Sequence, residues 1–217
     1  MNVFAHAYYS LILCAVLTAT LTGCDSTDAD EMPAFVRVIH AASGTNAVDF
    51  FIDFNLLARN LSFRNASPYV QWEPGLRRLE VRTTQGGQDV SVTRDELLNE
   101  DVSYSIVVAG IDDASSIVLL EDDRSAPSTG QARLLVVHAA TNTEALNIFA
   151  TDESGDTALD VSNLRFSETT VPINVAPGTL TFSVNPGGTA PFAQAIEAGR
   201  RYLVVVTNSV LFAVIDG

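Results

Sequence analysis

Cys24 is the residue whose chemistry is most clearly indicated by its neighbours. It ends the segment Leu21-Thr22-Gly23-Cys24, which follows an apolar run beginning at Leu11. A small residue before a cysteine leaves the peptide bond open to a signal peptidase, and the thiol sulfur is the atom that takes a diacylglycerol. The pattern therefore predicts cleavage between Gly23 and Cys24 and lipid attachment to Cys24.

The N-terminal segment has the layout of a bacterial lipoprotein signal peptide. Its apolar run is shorter than the roughly 20 apolar residues that a membrane-spanning helix needs, and it fits the h-region of a signal peptide. Residues 25–31 contain four acids and no base, as expected for a solvated tether. The segment departs from the usual lipobox pattern because residues 1–10 lack Lys and Arg. The alternative is an ordinary secretion signal with an incidental cysteine.

Lipidation would make the membrane one partner and place the protein in the bacterial cell envelope, at the inner membrane, the outer membrane or the cell surface. The chain has two cysteines, and Cys14 would leave with the signal peptide. The mature protein would then have no free thiol and no disulfide. The net charge is −14 and all 12 basic residues are Arg. This balance argues against nucleic acid as a partner, because phosphate contacts need a basic face.

Clustered carboxylates are the remaining candidates for chemistry. A glycosidase needs two carboxylates across a cleft, whereas adjacent acids such as Glu121-Asp122-Asp123 are usually solvated. Calcium is the sharper alternative, because it takes six to eight oxygen ligands. Asp152, Asp156 and Asp160 are its candidates, although their spacing is not that of an EF-hand. No other metal or cofactor site is predicted, and no catalytic residue is assigned.

The mature sequence reads as two copies of one unit. Val36–Ala42 and Leu134–Ala140 both end in His-Ala-Ala, and the later Pro-Gly and Tyr-x-Val-Val segments recur in the same order. Repetition of His40 as His138 favours a structural role, such as a hydrogen bond that holds the following loop. We therefore treat both histidines as structural markers of the repeat.

Turns and strands dominate each unit. Gly75 and Gly178 each follow proline, which favours a type II turn between two strands. Short β-branched runs after Tyr104 and Tyr202 are typical of strands buried on both faces. The six-residue spacing from Leu98 to Tyr104 is similar to the tyrosine corner of immunoglobulin-like domains. Only residues 94–99 have a mildly helical pattern.

These patterns predict an all-β protein with two tandem immunoglobulin-like antiparallel β-sandwich domains after a signal peptide. The predicted segments are a lipoprotein signal peptide (1–23), an acidic tether (24–32), the first sandwich repeat (33–126), a linker (127–130) and the second repeat (131–217).

The opening Val-Arg-Val-Ile-His-Ala of the first unit, followed by Val-Asp-Phe-Phe-Ile-Asp at 48–53, resembles the bacterial domain-of-unknown-function family 4397. Members of that family often occur in tandem in secreted or lipid-anchored proteins. This sequence departs from the pattern at 43–46 and 141–144, where the family usually has Pro-Asp-Ala-Pro. The resemblance implies fold and location and implies no activity.

We expect a lipid-anchored envelope protein that is not an enzyme. Its role would be binding, adhesion or scaffolding, with an unidentified protein or glycan as ligand. The alternatives are a carbohydrate-active enzyme or accessory module, which would need paired buried carboxylates in one cleft, and a periplasmic envelope-assembly factor. Tyr69 and Trp72 are aromatic residues that could stack on sugars, although Trp72 aligns with Val175, which favours core packing.

Overall fold

The structure is a computed structural model that describes residues 32–85, 88–111, 113, 116–186 and 190–216. Within it, Glu31–Gly217 forms one compact unit. The predicted signal peptide, Gly23, Cys24 and almost all of the acidic tether lie outside the described residues. Among the residues that are described, no helix has the length and hydropathy required to cross a membrane.

Sixteen strands account for the described fold, eight in each repeat. Those of repeat 1 are β1 (Ala34–His40), β2 (Val48–Ile52), β3 (Asn55–Leu61), β4 (Val70–Trp72), β5 (Gly75–Gln85), β6 (Gln88–Leu98), β7 (Ser103–Val108) and β8 (Ile117–Glu121). Those of repeat 2 are β9 (Ala132–His138), β10 (Ala145–Thr151), β11 (Thr157–Arg165), β12 (Ile173–Val175), β13 (Gly178–Asn185), β14 (Phe192–Ile196), β15 (Arg201–Val206) and β16 (Leu211–Asp216).

Each repeat is a sandwich of two four-stranded sheets. The sheets of repeat 1 have the strand orders β4-β1-β7-β8 and β3-β2-β5-β6. Those of repeat 2 are β12-β9-β15-β16 and β11-β10-β13-β14, which is the same topology with every strand number raised by eight. The predicted pair of β-sandwiches is therefore confirmed.

One strand pair in each sandwich is parallel, which the sequence analysis did not predict. β1 pairs with β7 in parallel, and β9 pairs with β15 in the same way. All other pairs are antiparallel. A parallel pair needs a long crossover between its strands, and here the chain between β1 and β7 supplies the whole second sheet.

Alternating side chains explain why the outer sheets form. In β2, Val48, Phe50 and Ile52 are fully buried while the residues between them are half-buried. This period of two puts one face of the sheet against the core and leaves the other toward solvent. In repeat 2 the equivalent strand β10 buries Leu146, Ile148 and Ala150 in the same way.

The inner sheets are buried on both faces. Every residue of β7 is buried, and so are all but the first of β15, as the β-branched runs predict. Their second faces meet each other in a third apolar core that joins the two repeats. It contains Ile39, Ala41, Val107, Ala109, Val118 and Leu120 of repeat 1 and Val137, Ala139, Leu203, Val205, Phe212 and Val214 of repeat 2.

The helical interpretation of residues 94–99 is wrong. Arg94 to Leu98 belong to β6, which pairs with β5 along its whole length from Gln88 to Leu98. A strand partner and a core position for Leu98 outweigh the weak helical preference of Glu and Leu, because intrinsic propensity is a small term compared with burial.

The tyrosine corner is present in both repeats. The Tyr104 hydroxyl accepts a hydrogen bond of 2.9 Å from the backbone N–H of Asn99, and the Tyr202 hydroxyl accepts one of 2.8 Å from that of Glu197. Both tyrosine rings are buried. Each bond ties the loop before β7 or β15 to the start of the following inner strand.

We expect Tyr104→Phe and Tyr202→Phe each to lower the free energy of unfolding by about 1 kcal/mol, because the ring stays in the core while one backbone donor loses its partner. Urea unfolding followed by circular dichroism measures the effect. Since the two bonds have the same geometry, an unchanged stability in both variants would contradict the role of this contact.

A candidate functional site at the junction of the two sandwiches

Arg37 occupies the edge of the third core, where the two repeats meet. It lies on β1 and is only 3% exposed. Its Nη1 donates a hydrogen bond of 2.7 Å to Oδ1 of Asp216, at the end of β16. Its Nε donates one of 2.7 Å to Oγ of Ser105 on β7. A single guanidinium thus links a strand pair of repeat 1 to the last strand of repeat 2.

Asp122 completes a buried polar cluster around Arg37. Its Oδ2 accepts hydrogen bonds from the Ser105 hydroxyl at 2.6 Å and from the Tyr69 hydroxyl at 2.7 Å. Its Oδ1 lies 3.9 Å from Nη2 of Arg37. Every charged group in the cluster therefore has a partner, as buried charges require.

Burial and neighbouring charges shift the proton affinities in the cluster. Burial raises the pKa of Asp122, and the positive charge of Arg37 acts in the opposite direction. Burial also raises the pKa of the Tyr69 hydroxyl, and the negative charge of Asp122 adds to that effect. The tyrosine is a neutral donor to the carboxylate at any ordinary pH.

Tyr69 lies between two guanidinium groups. Arg37 is 4.6 Å and Arg124 is 4.8 Å from its ring centroid, distances at which a cation is attracted to an aromatic face. The hydroxyl is already bonded to Asp122. The ring therefore already contacts the protein's own side chains, which disfavours the sugar-stacking role considered for Tyr69. Trp72 is half-buried and packs against the core of repeat 1, as its alignment with Val175 predicts.

A small cavity of about 40 Å³ lies beside the cluster. Its walls include Arg124, Arg133, Arg201 and the apolar side chains of Leu135 and Pro172. Arg133 is ion-paired with Asp123 and donates to Ser125 Oγ at 3.0 Å. The space suits a few water molecules and is far below the 300–1,000 Å³ typical of a small-molecule pocket.

A larger hollow opens at the opposite end of repeat 1 from the chain's point of entry. It has a volume of about 550 Å³ and polar lining residues that include Asn46, Asp49, Asn60, Arg82 and Asp89. Arg82 forms a bidentate pair with Glu80 and lies over the Phe51 ring at 4.1 Å. Fixed charges and amides around an open hollow are suited to a polar ligand.

The two repeated histidines hold loops, as their repetition suggested. The Nδ1 of His40 accepts a hydrogen bond from the Ala42 N–H at 3.3 Å, and its Nε2 lies 3.0 Å from the Asn46 carbonyl oxygen. The Nδ1 of His138 accepts one from the Ala140 N–H at 3.1 Å. The Nε2 of His138 lies near the Thr143 backbone without forming a hydrogen bond of good geometry.

The predicted turn glycines lie where the chain crosses between sheets. Gly75 begins β5 after β4, and Gly178 begins β13 after β12. Their φ angles of 115° and 143° are in the region that side-chain-bearing residues rarely adopt. These glycines, histidines and tyrosines shape loops within their own repeat, whereas the Arg37 cluster links the two repeats.

The calcium candidates are not brought together into a site. Oδ1 of Asp152 accepts backbone hydrogen bonds from Ser154 and Asp156, so it closes its own turn. Asp160 lies on strand β11, opposite Phe149. In the part of the chain that the structure describes, no group of three or more metal-ligating side chains occurs.

Sequence reasoning missed the cluster because it treated Asp122 as one of a row of solvated acids. The signal in the sequence was an arginine, Arg37, within an otherwise apolar strand, because a buried guanidinium needs a carboxylate partner. The strand pattern alone does not name that partner, since Arg37 and Asp216 are 179 positions apart.

Comparison with known proteins places the chain in a family. The model of the family described as "Domain of unknown function (DUF4397)" matches residues 34–149, which is more than half of the 217 residues. The chain belongs to this family. The match begins with β1 and ends within β10, so the DUF4397 region covers all of repeat 1 and the first strands of repeat 2. No curated protein matches the chain.

Two solved structures show distant likeness. The Bacillus anthracis TIE protein aligns with a TM-score of 0.28 and 8% identity, covering 84% of this chain and 34% of that one, so the chain spans about a third of its length. A candidate cell adhesion protein from Bacteroides ovatus aligns with a TM-score of 0.22 and 9% identity, covering 86% and 96% of the two chains. At these scores neither likeness carries a functional argument.

We expect Arg37→Met to lower the free energy of unfolding by about 3–5 kcal/mol at neutral pH, because Asp122 is left as a buried carboxylate without its cation. Asp216→Asn is the comparison variant. It should cost less, since the Asp216 side chain is 23% exposed and water can replace part of the lost contact.

The loss in Arg37→Met should shrink in acid, because protonation of Asp122 removes the unpaired charge. Adding Asp122→Asn to Arg37→Met should recover part of the stability at neutral pH for the same reason. Chemical denaturation at several pH values measures both effects. Equal losses in Arg37→Met and Asp216→Asn at all pH values would contradict the arrangement.

The buried histidines predict a pH dependence of stability. Burial lowers the pKa of both His40 and His138 below 6.5, so the unfolded chain binds their protons more readily than the folded one. Stability is full above about pH 6.5 and falls as the pH drops toward the folded pKa values. Thermal melting between neutral and mildly acidic pH should show this loss.

The control is the double variant His40→Asn with His138→Asn. In it, each asparagine side-chain oxygen can accept the backbone N–H hydrogen bond that the histidine Nδ1 accepts in the native protein. Its melting temperature should vary less over the same range of pH. An identical pH profile in the variant would show that other groups cause the dependence.

Proposed function

We propose that this DUF4397 protein is a non-catalytic binding or scaffolding protein, held at the bacterial cell envelope by lipid on Cys24. The observation that carries the non-catalytic part is the closed polar cluster at the junction. Three carboxylates line it, and each is ion-paired: Asp122 and Asp216 with Arg37, and Asp123 with Arg133. The pairs of Asp216 and Asp123 join the two sandwiches, and among the described residues of the junction no carboxylate is left without a cation.

The geometry argues against the hydrolase alternative at this site. A glycosidase needs two carboxyl groups on either side of a sugar, with one free to give a proton and the other to attack or to activate water. At the junction the carboxylates are paired with Arg37 or Arg133, and the adjacent space of about 40 Å³ is too small for a sugar ring. The cluster therefore supports a structural role.

A binding role is supported by what the shared core does to the rest of the molecule. Because the inner sheets are covered on both faces, the two repeats form one compact unit. Preformed surfaces bind with a smaller entropic cost than surfaces that must be ordered. The polar hollow around Asn46 and Arg82 is the surface that we propose takes a protein or glycan ligand.

Envelope attachment rests on the Leu-Thr-Gly-Cys segment and the acidic tether that follows it. Two or more acyl chains on Cys24 would give stable anchoring, whereas one chain gives only reversible binding. The tether would keep the folded unit within roughly 3.5 Å per residue of the lipid.

We expect Cys24→Ala to release the protein from the membrane fraction, because the thiol that takes the lipid is gone. Cys14→Ala is the matched control and should stay membrane-bound, since Cys14 lies within the predicted signal peptide. Fractionation of cells expressing each variant, followed by immunoblotting, measures the distribution. Membrane association of Cys24→Ala would contradict the proposal.

A further inference from the structure

The start of β1 and three connections between strands lie at one end of repeat 1. β1 begins there with Ala34 paired to Trp72 of β4. Because β5 runs from Gly75 and pairs antiparallel with β2 and β6, the connections at 53–54, 73–74 and 99–102 lie at this end too. We call it the proximal end, since the tether from Cys24 reaches the fold here.

Large apolar side chains are exposed at the proximal end. Phe54 and Leu76 are each 70% exposed, and Leu97 is 57% exposed. Leu76 and Leu97 lie directly opposite each other on β5 and β6, so they form one cross-strand pair on the outer face of the sheet. Together with Met32 and Leu56, which are also exposed, they make up what we call the proximal patch.

The second repeat shows that the fold does not require this patch. Gly178 pairs with Ile196 and Thr179 pairs with Ala195, in the same register as Gly75 with Leu98 and Leu76 with Leu97. The cross-strand pair is therefore Leu–Leu in repeat 1 and Thr–Ala in repeat 2. A grouped set of exposed apolar side chains that a structural copy lacks is typical of a contact surface.

Acidic residues outnumber basic ones around the patch. Arg77 pairs with Asp53 and Glu73, and the Arg78 guanidinium lies 5.5 Å from the Phe54 ring centroid. The further acids at this end are Asp95 and Glu96 on β6 and Glu100 and Asp101 in the connection after it. These charges give no net attraction to an anionic surface. A binding partner would therefore contact the apolar side chains. The arginine stems would lie along these side chains, with the guanidinium groups turned to water or phosphate.

We propose that the proximal patch rests on the lipid bilayer in which the Cys24 lipid is embedded. This inference depends on the lipid anchoring proposed above. From Cys24 to Met32 the chain spans eight residue steps, or at most roughly 28 Å at about 3.5 Å per residue. The tether therefore keeps the proximal end close to the headgroups, where Phe54, Leu76 and Leu97 reach the boundary between headgroups and acyl chains.

The arrangement of the two repeats places Leu76 and its counterpart Thr179 on different sides of the molecule. Arg37 of repeat 1 and Asp216 of repeat 2 join the repeats near the proximal end, while Gly110 and Thr141 approach each other at the opposite end. The two sandwiches thus lie side by side with corresponding ends together. The inner sheets face each other, so the outer sheets that carry Leu76 and Thr179 lie on opposite sides of the molecule.

A paired labelling experiment tests the proposal. The predicted mature chain has no cysteine other than Cys24, so Leu76→Cys and Thr179→Cys each create a single site for the environment-sensitive dye NBD. The two positions are equivalent in the two repeats, and Thr179 is the matched control. The lipidated full-length proteins are reconstituted into vesicles of phosphatidylethanolamine and phosphatidylglycerol, with and without nitroxide-bearing lipids.

We expect the emission of NBD at position 76 to shift to the blue and to be quenched by the nitroxide lipids, while NBD at 179 shows neither change. Equal, water-like emission at both positions in membrane-bound protein would overturn the inference and leave lipid anchoring intact. Loss of both proteins from the vesicles would overturn anchoring and the inference together. A blue shift at 76 that persists in detergent, without vesicles, would show that a second copy of the chain covers the patch, and would also overturn it.

Discussion

Burial of both faces of the inner sheets is the constraint on which the rest of the structure depends. A sheet normally shields one face in its own sandwich and leaves the other to solvent. Here β7 and β15 are buried at nearly every position, and each inner sheet has a second cover. The two repeats provide it for each other through the core that contains Ile39, Val107, Val205 and Phe212. Each repeat therefore covers the inner sheet of the other and excludes water from it.

The Arg37 cluster limits how that apolar contact can be made. Apolar faces attract without direction, and two flat sheets could slide over one another at little cost. Ser105 and Asp122 hold the guanidinium in place within repeat 1, and its bond of 2.7 Å to Asp216 then fixes the end of β16 against β1. A buried ionic group gives little net stability compared with apolar residues of the same volume. Its contribution here is to fix the position of one repeat relative to the other.

Side chains on the solvent face of the outer sheets pack against no second sheet, so they can differ between the repeats. The outer sheets have the same register in both copies, but one presents Leu76 and Leu97 where the other presents Thr179 and Ala195. Both copies keep apolar cores and tyrosine corners, although core side chains also differ, as with Leu79 in one copy and Phe182 in the other. On the outer faces the difference is one of polarity, as different surroundings for the two copies would produce.

The sequence by itself determined the elements that depend on local chemistry. The Pro-Gly connections between strands, the tyrosine corners, the doubly buried runs and the duplicated order of strands could be read from residue type and spacing, because these features act over a few residues. The type II turn geometry expected at the Pro-Gly segments is not seen, since the φ angles of Gly75 and Gly178 are 115° and 143°. The DUF4397 resemblance followed from the same segments. Where local preference was weak, at Arg94 to Leu98, pairing with β5 decided the outcome and the helical interpretation was wrong.

Only the tertiary structure decided which faces meet and which charges are buried. Asp122 looks like its solvated neighbours Glu121 and Asp123 in the sequence, and only the packing of Tyr69, Ser105 and Arg37 around it makes it an internal anion. The parallel β1–β7 pair and the bond from Arg37 to Asp216 join residues 68 and 179 positions apart. No local pattern encodes such contacts, because they depend on the combined burial of four sheets.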